Sequence, residues 1–295
     1  MTVTKVLTAE NKQDRRPPWL TRKIILRQKE RTARILAGLN INTVCSNTMC
    51  PNISECYGRS QAAFLILGNI CTRGCGFCSM AAGIPLPPEK DEPERIAAAA
   101  GRLGLSHVVV TSPTRDDLED GGAYLFSDVV CKIRSSKCAD SIELLIPDFC
   151  GNTGSLDTIM ASEPDIIGHN IETVRRLYNI RKGADYQRSL DLLDYVSNTS
   201  RSIKVKSALM LGLGETPEEI LETFDDLLHS GCRYLAIGQY LPPGRNFYPV
   251  REYIRPEKFE HYRKRALSLG FLYVESGPYV RSSYNADRYM QRRQI

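Results

Sequence analysis

Cys71-Thr72-Arg73-Gly74-Cys75-Gly76-Phe77-Cys78 reads as CxxxC followed directly by CxxC, and it begins just after an apolar run over 62–68 that ends in Gly68. Spacings this short let one loop wrap three thiolates around a single inorganic centre, with Gly74 and Gly76 permitting tight turns. A four-iron cluster has four iron corners, so three protein thiolates leave one iron open to an exogenous ligand, as catalysis requires. Zinc is the competing reading, because CxxC pairs recur in zinc sites. It wants four protein ligands, or three plus water, and the nearest histidine, His107, lies well outside the loop.

Downstream of this loop, short apolar strands alternate with amphipathic helices. Strands are predicted over 107–112, 142–147, 166–171, 205–212, 234–241 and 271–275, after the first at 62–68. Helices are predicted between them over 92–103, 124–135, 153–161, 186–198, 217–230 and 256–269, with Thr216 as an N-cap. Such alternation defines parallel βα units, hence a complete or partial barrel or a doubly wound sheet. The expected fold is α/β, a partial (β/α)6-type barrel in which functional loops follow the C-terminal ends of the strands. The chain divides into a basic arm and cysteine loop (1–60), the barrel (61–275) and a C-terminal tail (276–295).

Upstream, Cys45, Cys50 and Cys56 form CxxxxCxxxxxC, so six of the ten cysteines fall between positions 45 and 78 of 295. Their neighbours, Ser46-Asn47-Thr48 and Pro51-Asn52-Ile53-Ser54-Glu55, are polar and lack core periodicity. Residues 41–60 therefore read as a loop held by something other than its own packing, and a second cluster fits better than buried structural cysteines. Three thiolates again fall one short of four ligands. Of the others, Cys131 and Cys232 are expected in the core, Cys138 in a loop, and Cys150 has no assigned role.

Hydrophobic content of 42% suffices for one large core, in which a chain of this length buries roughly 75% of its unfolded surface. No apolar run reaches the roughly 18 residues of a membrane span, and the start lacks a secretory pattern, so a cytoplasmic chain without a membrane partner is expected. Thiols stay reduced there, which favours metal ligation over disulfides. The net charge of +5 sits in an arm: residues 1–40 carry ten Lys and Arg against three acids, and the remainder carries 29 against 31. Arg15, Arg16, Arg22, Lys23, Arg27, Lys29, Arg31 and Arg34 either steer an acidic protein partner or form a solvated helix face over 23–37 that Gly38 ends. Nucleic acid is not expected, since Trp19 is the only aromatic in that stretch.

CxxxCxxC after the first strand, with Phe77 before its last cysteine, resembles the signature of radical S-adenosylmethionine enzymes. That resemblance implies that Cys71, Cys75 and Cys78 hold a [4Fe-4S] cluster. Its open iron takes the amino and carboxylate groups of S-adenosyl-L-methionine, and Phe77 lies near the adenine. CxxxxCxxxxxC together with Arg281-Ser282-Ser283-Tyr284 resembles the lipoyl synthase family. There a second [4Fe-4S] cluster, on Cys45, Cys50 and Cys56, is completed by the second serine of that motif, here Ser283. Further likenesses are Thr111-Ser112, Arg115-Asp116-Asp117-Leu118, Asp120-Gly121-Gly122-Ala123, Pro147-Asp148-Phe149, His169-Asn170-Ile171-Glu172-Thr173-Val174, Gly212-Leu213-Gly214-Glu215 and Gly238-Gln239-Tyr240-Leu241. Pro113 and Asn246-Phe247-Tyr248 depart from the family pattern, outside the cysteine motifs.

The resemblance implies insertion of two sulfur atoms, at C6 and C8 of an octanoyl chain on a lysine of a lipoyl carrier protein. The second cluster is the sulfur source, and a ferredoxin or flavodoxin is the electron donor. Unactivated C–H bonds resist acid-base attack, which accounts for the lack of paired carboxylates or a nucleophile-base pair at the strand ends. Asn170 and Glu172 alternate after the fourth strand and so face one side, where they contact S-adenosylmethionine or, on the competing reading, cap a helix. Competing functions are another sulfur-inserting radical enzyme, such as a biotin synthase relative, an iron-sulfur electron carrier, and a cluster-sensing regulator.

Overall fold

The structure, a computed structural model, describes residues 16–21, 30–48 and 50–290. Of the basic arm, Arg15, Arg22, Lys23, Arg27 and Lys29 lie outside the described residues, as does the expected helix over 23–37 up to position 29. From there α1 runs Glu30–Gly38, followed by β1 (Asn42–Thr43), α2 (Val44–Asn47) and α3 (Ile53–Gly58). Then come β2 (Ala63–Leu65), β3 (Ile70–Cys71), β4 (Ala81–Ala82), α4 (Glu92–Leu103), β5 (His107–Thr111), α5 (Ala123–Ser136), β6 (Ser141–Leu145), α6 (Thr153–Met160) and β7 (Ile166–Gly168). The chain closes with α7 (Tyr186–Thr199), β8 (Lys204–Leu211), α8 (Pro217–His229), β9 (Tyr234–Gln239), α9 (Pro256–Leu269) and β10 (Tyr273–Gly277).

The main sheet has eight strands in the order β1-β2-β5-β6-β7-β8-β9-β10, all pairing parallel except β1 with β2. Each new strand adds on the same side. A doubly wound sheet reverses its order at a switch point, so this topology is that of a barrel left open. No ladder joins β1 to β10 among the described residues.

The expected strands form, some shorter than their apolar runs. β2 stops at Leu65 because Leu67 and Gly68 turn to φ of 64° and 84° to enter the cysteine loop. β7 stops at Gly168, although His169 N still donates to the Lys206 carbonyl at 3.1 Å, and Glu172 (φ 66°) pairs beyond it only as an isolated bridge to Leu209. Helix α8 starts where Thr216 and Glu219 exchange side-chain bonds to each other's backbone N–H, a capping box. Residues 42–47 and 53–58 correct the sequence reading, since they form a short strand and two short helices where loop was expected. Thr43 caps α2 by accepting from Ser46 N at 3.2 Å and bonds Tyr57 Oη at 2.7 Å, while Thr32 bonds the Tyr57 carbonyl at 2.7 Å. The polar Ser46, Asn47 and Thr48 that broke periodicity donate back to the Thr43 and Val44 carbonyls of the same turn.

One apolar core fills the space between helices and sheet. The other face of the sheet is lined near its middle by Ala208, Ala236 and Gly238, and there the chain after β10 packs, through Val280 and Tyr284. At the N-terminal ends of the strands Tyr234, Tyr273 and Tyr289 cluster around Ile166, and the Lys206 ammonium lies 3.8 Å from the Tyr289 ring centre. Lys206 Nζ pairs with Glu143 Oε1 at 2.7 Å, both fully buried. Removing one member of such a pair costs about 3–5 kcal/mol, because a charge is stranded. The tail is thus a packed part of the barrel interior.

Candidate active site

The loop after β2 is clamped at several points. Cys71 lies in β3, which pairs with β4, and its carbonyl accepts from Gly83 N at 3.0 Å. Gly76 N donates to the Ile180 carbonyl at 2.8 Å, and the Gly76 carbonyl accepts from Tyr248 N at 2.7 Å. Arg73, between the first two cysteines, is 8% exposed. Its guanidinium makes a two-pronged contact with Asp116 (2.7 and 2.8 Å) and reaches Asp148 at 2.8 and 3.0 Å. Arg188 binds Asp148 from the other side at 2.9 and 2.7 Å. Burial alone would raise the Asp148 carboxyl, but its bonds to Arg73 and the charges around it hold it well below the ordinary carboxylate range. An ionised, doubly paired Asp148 fixes the loop from beneath.

Within that loop the thiols feel one another. Burial first, then the neighbouring thiolates and Glu172, pushes Cys78 up to about 11, and burial likewise raises Cys75. A cationic centre reverses this balance, so metal binding releases the thiol protons. Asn170 Nδ2 donates to Glu172 Oε1 at 3.0 Å, so the two side chains meet beyond the end of β7, with Glu172 in the left-handed region rather than in strand alternation. Arg181 donates to the Asn170 carbonyl at 3.0 Å. Burial raises the Glu172 carboxyl against the pull of Arg181, Asn170 and Arg281. Phe77 packs, partly buried, against the main core.

The second triplet shares a cavity with the tail. Cys45 sits in α2, Cys50 follows it with its N–H on the Cys45 carbonyl at 3.1 Å, and Cys56 lies in α3. These three, with Ser283, His107 and Arg281, line a cavity of about 130 Å³. One water needs only about 10–15 Å³ of such space, so a polynuclear centre has room. Burial pushes Cys45 up to about 11 and, with the adjacent thiolates, Cys56 up to about 12. Among the described residues no three Cys, His, Asp or Glu side chains converge on a single-ion site. Donor type and cavity both fit an iron-sulfur cluster.

Sequence reasoning missed several contributors. Arg73 was hidden between two cysteines, and its partners lie 43 and 75 residues away. His107, noted only as remote, forms part of the cavity wall, with Nδ1 at 2.7 Å from Ser141 Oγ and Nε2 at 3.6 Å from Glu143. Asn52 ties the cysteine segment to the tail by donating to the Tyr279 carbonyl at 2.6 Å. Cys131 corrects an expectation, being exposed on α5 where the core was predicted, since its helix turns Val129, Val130 and Ile133 inward instead. Cys232 is buried as expected.

Comparison with known proteins places this arrangement. A family model described as the radical SAM superfamily matches residues 65–227, more than half of the chain, and the chain belongs to that superfamily. Solved structures share the fold at low identity. SuiB of Streptococcus suis bound to its precursor peptide aligns with a TM-score of 0.58 at 13% identity, over 77% of this chain and 52% of that one. Methylornithine synthase PylB aligns at 0.54 and 11% identity, over 82% and 74%.

Closer relatives narrow the class. The lipoyl synthase of Geotalea uraniireducens (strain Rf4) is 56% identical over 275 residues, 93% of this chain and 97% of that protein. That of Citrifermentans bemidjiense is 54% identical over 277 residues, 94% and 95%. The chain belongs to the lipoyl synthase family.

Proposed function

We infer that the chain acts as a lipoyl synthase, a sulfurtransferase that inserts sulfur at C6 and C8 of an octanoyl chain carried on a lysine of a lipoyl carrier protein. The observation that carries the reading is the meeting of Cys45, Cys50, Cys56 and Ser283 in one cavity, since Ser283 is more than two hundred residues away in sequence. When bound, one [4Fe-4S] cluster supplies the electron that splits S-adenosylmethionine to methionine and a 5′-deoxyadenosyl radical, and the other supplies sulfide. One S-adenosylmethionine is used per sulfur.

The chain's own residues do the rest. Cys71, Cys75 and Cys78 hold the first cluster, with Arg73 and Asp148 keeping their loop in place. Cys45, Cys50, Cys56 and Ser283 hold the second, and a hard oxygen ligand among soft thiolates suits a cluster that is meant to come apart. Asn170 and Glu172 bind the ribose or methionine part of S-adenosylmethionine, and Phe77 lies against its adenine. We assign the cysteine-bearing segment up to residue 60, the barrel and the tail from 276 as the three working parts. Each cleavage needs one electron from outside, so a ferredoxin or flavodoxin is the partner reductant, in the cytoplasm. The described residues contain no helix long and apolar enough to cross a membrane.

Two triple variants test the assignment. With Cys71, Cys75 and Cys78 changed to Ala, the protein keeps half its iron and cleaves no S-adenosylmethionine. With Cys45, Cys50 and Cys56 changed, it keeps the other half, still yields 5′-deoxyadenosine, and adds no sulfur. Loss of 5′-deoxyadenosine in the second variant as well would overturn the division of labour.

A further inference from the structure

The segment Arg281-Ser282-Ser283-Tyr284 faces two sites at once. Ser282 Oγ donates to Asn170 Oδ1 at 2.9 Å, and Asn170 passes the contact on, Nδ2 donating to Glu172 Oε1 at 3.0 Å. The charge of Arg281 also reaches Glu172. One residue further, Ser283 lines the cysteine cavity, and Tyr284 Oη donates to Glu55 in α3 at 3.1 Å, beside Cys56. The polypeptide itself therefore joins the two sites within one peptide bond.

That bond is not slack. Tyr284 N donates to the Arg281 carbonyl at 2.9 Å, closing a turn around both serines, and Val280 is wedged against Gly238. The Asn170 amide has a defined orientation as well, because its Nδ2 donates to Glu172 Oε1, leaving Oδ1 for a donor. Ser282 is that donor. Displacement of Ser283 from the cavity drags Ser282 away and leaves the Asn170 amide held at one end only.

We propose that Ser282 is a positioning residue that couples the two sites. Through its bond to Asn170, S-adenosylmethionine bound at Asn170 and Glu172 and Ser283 held in the cysteine cavity stabilise one another. Coupling of this kind is reciprocal, so each ligand tightens the other by the same factor. Replacement of the ligand serine and binding of the next S-adenosylmethionine are thereby linked events. This rests on the reading that Asn170 and Glu172 contact S-adenosylmethionine and that Ser283 completes the second cluster.

The test uses the anaerobic two-cluster protein without reductant, so that S-adenosylmethionine binds and is not consumed. Its dissociation constant is measured, together with the rate at which a chelator removes iron, with and without saturating S-adenosylmethionine. The phase belonging to the second cluster is the one missing from the Cys45, Cys50 and Cys56 triple variant. In the wild type S-adenosylmethionine slows that phase severalfold. In Ser282→Ala the slowing disappears and S-adenosylmethionine binds about fivefold more weakly, the worth of one hydrogen bond. Ser282→Thr, which keeps the hydroxyl, restores both, and the first cluster is retained throughout. Equal protection in wild type and Ser282→Ala, or none in a wild type that binds S-adenosylmethionine, overturns the coupling alone. A wild type that fails to bind S-adenosylmethionine overturns the functional reading with it.

Discussion

Gly238 and Val280 are in such close contact that a methyl group on Gly238 would collide with the Val280 carbonyl oxygen. Gly238 is the last residue but one of β9, and Val280 opens the tail segment that carries Ser283. The absence of a side chain on the sheet is what lets the tail lie inside the barrel. Gly238→Ala therefore displaces the tail, although residue 238 does not line the cysteine cavity. Overpacking of this kind costs about 1–3 kcal/mol. The expected outcome is loss of sulfur transfer and faster loss of iron from the second cluster, with 5′-deoxyadenosine still formed. Iron counts and product analysis on the same sample check it.

Ser283→Ala removes one oxygen from the cavity and leaves the three thiols. We expect the first cluster and S-adenosylmethionine cleavage to survive, while sulfur transfer falls below detection. Ser283→Cys should bind the second cluster at least as firmly and transfer sulfur more slowly, since a fourth thiolate makes it harder to dismantle. Single-turnover product yields against iron content distinguish the two.

Asp148 tests the clamp on the first loop. It is 2% exposed and bonded by both Arg73 and Arg188, so Asp148→Asn removes the charge they share, leaving Arg73 on the Asp116 carboxylate and Arg188 on the Gly183 carbonyl, at a cost of about 1.5–3 kcal/mol. The iron bound by Cys71, Cys75 and Cys78 should become labile, and 5′-deoxyadenosine formation should fall at least tenfold. The second cluster keeps its iron. Equal loss from both clusters would mean that Asp148 serves the fold as a whole.

His169 predicts a pH dependence. It is 1% exposed, with Nδ1 at 2.9 Å from the Ile146 carbonyl, which can only accept, so the proton sits on Nδ1, and Nε2 lies 3.0 Å from Ser189 Oγ. Burial first, then the nearby Arg181, lowers its pKa from 6.5 to about 4. The unfolded chain binds this proton more readily than the folded one. Stability from His169 is thus full above pH 6.5 and is lost as pH falls toward 4, by about 3 kcal/mol in all. Thermal midpoints of the anaerobic protein between pH 7 and 4.5 should fall more steeply for wild type than for His169→Gln.

The parallel strands and connecting helices were legible because period-2 and period-3.6 patterns report burial, and burial is what the sheet and its helices share. Both cysteine triplets were legible because spacing within one loop is a local property. Less legible were features that depend on distant segments meeting. The tail inside the barrel leaves only Ala208, Ala236 and Gly238 as its trace, small residues with other possible reasons to be small. Arg73 reads as loop decoration until Asp116 and Asp148 are brought beside it. Thr43 and Ser46 broke the helical pattern and so disguised α2, whose cap they form. Ser283 entered through family resemblance, since a serine pair in a polar tail carries no signal by itself.

The most direct measurement is anaerobic turnover of protein whose clusters are rebuilt with heavy-isotope sulfide. The mixture contains reductant, S-adenosylmethionine, an octanoyl-lysine peptide and unlabelled sulfide in solution. Two heavy sulfur atoms in the peptide, with one 5′-deoxyadenosine formed per sulfur, is the predicted result. Product carrying only unlabelled sulfur, or 5′-deoxyadenosine with an unchanged peptide, would contradict a sacrificial cluster held by Cys45, Cys50, Cys56 and Ser283.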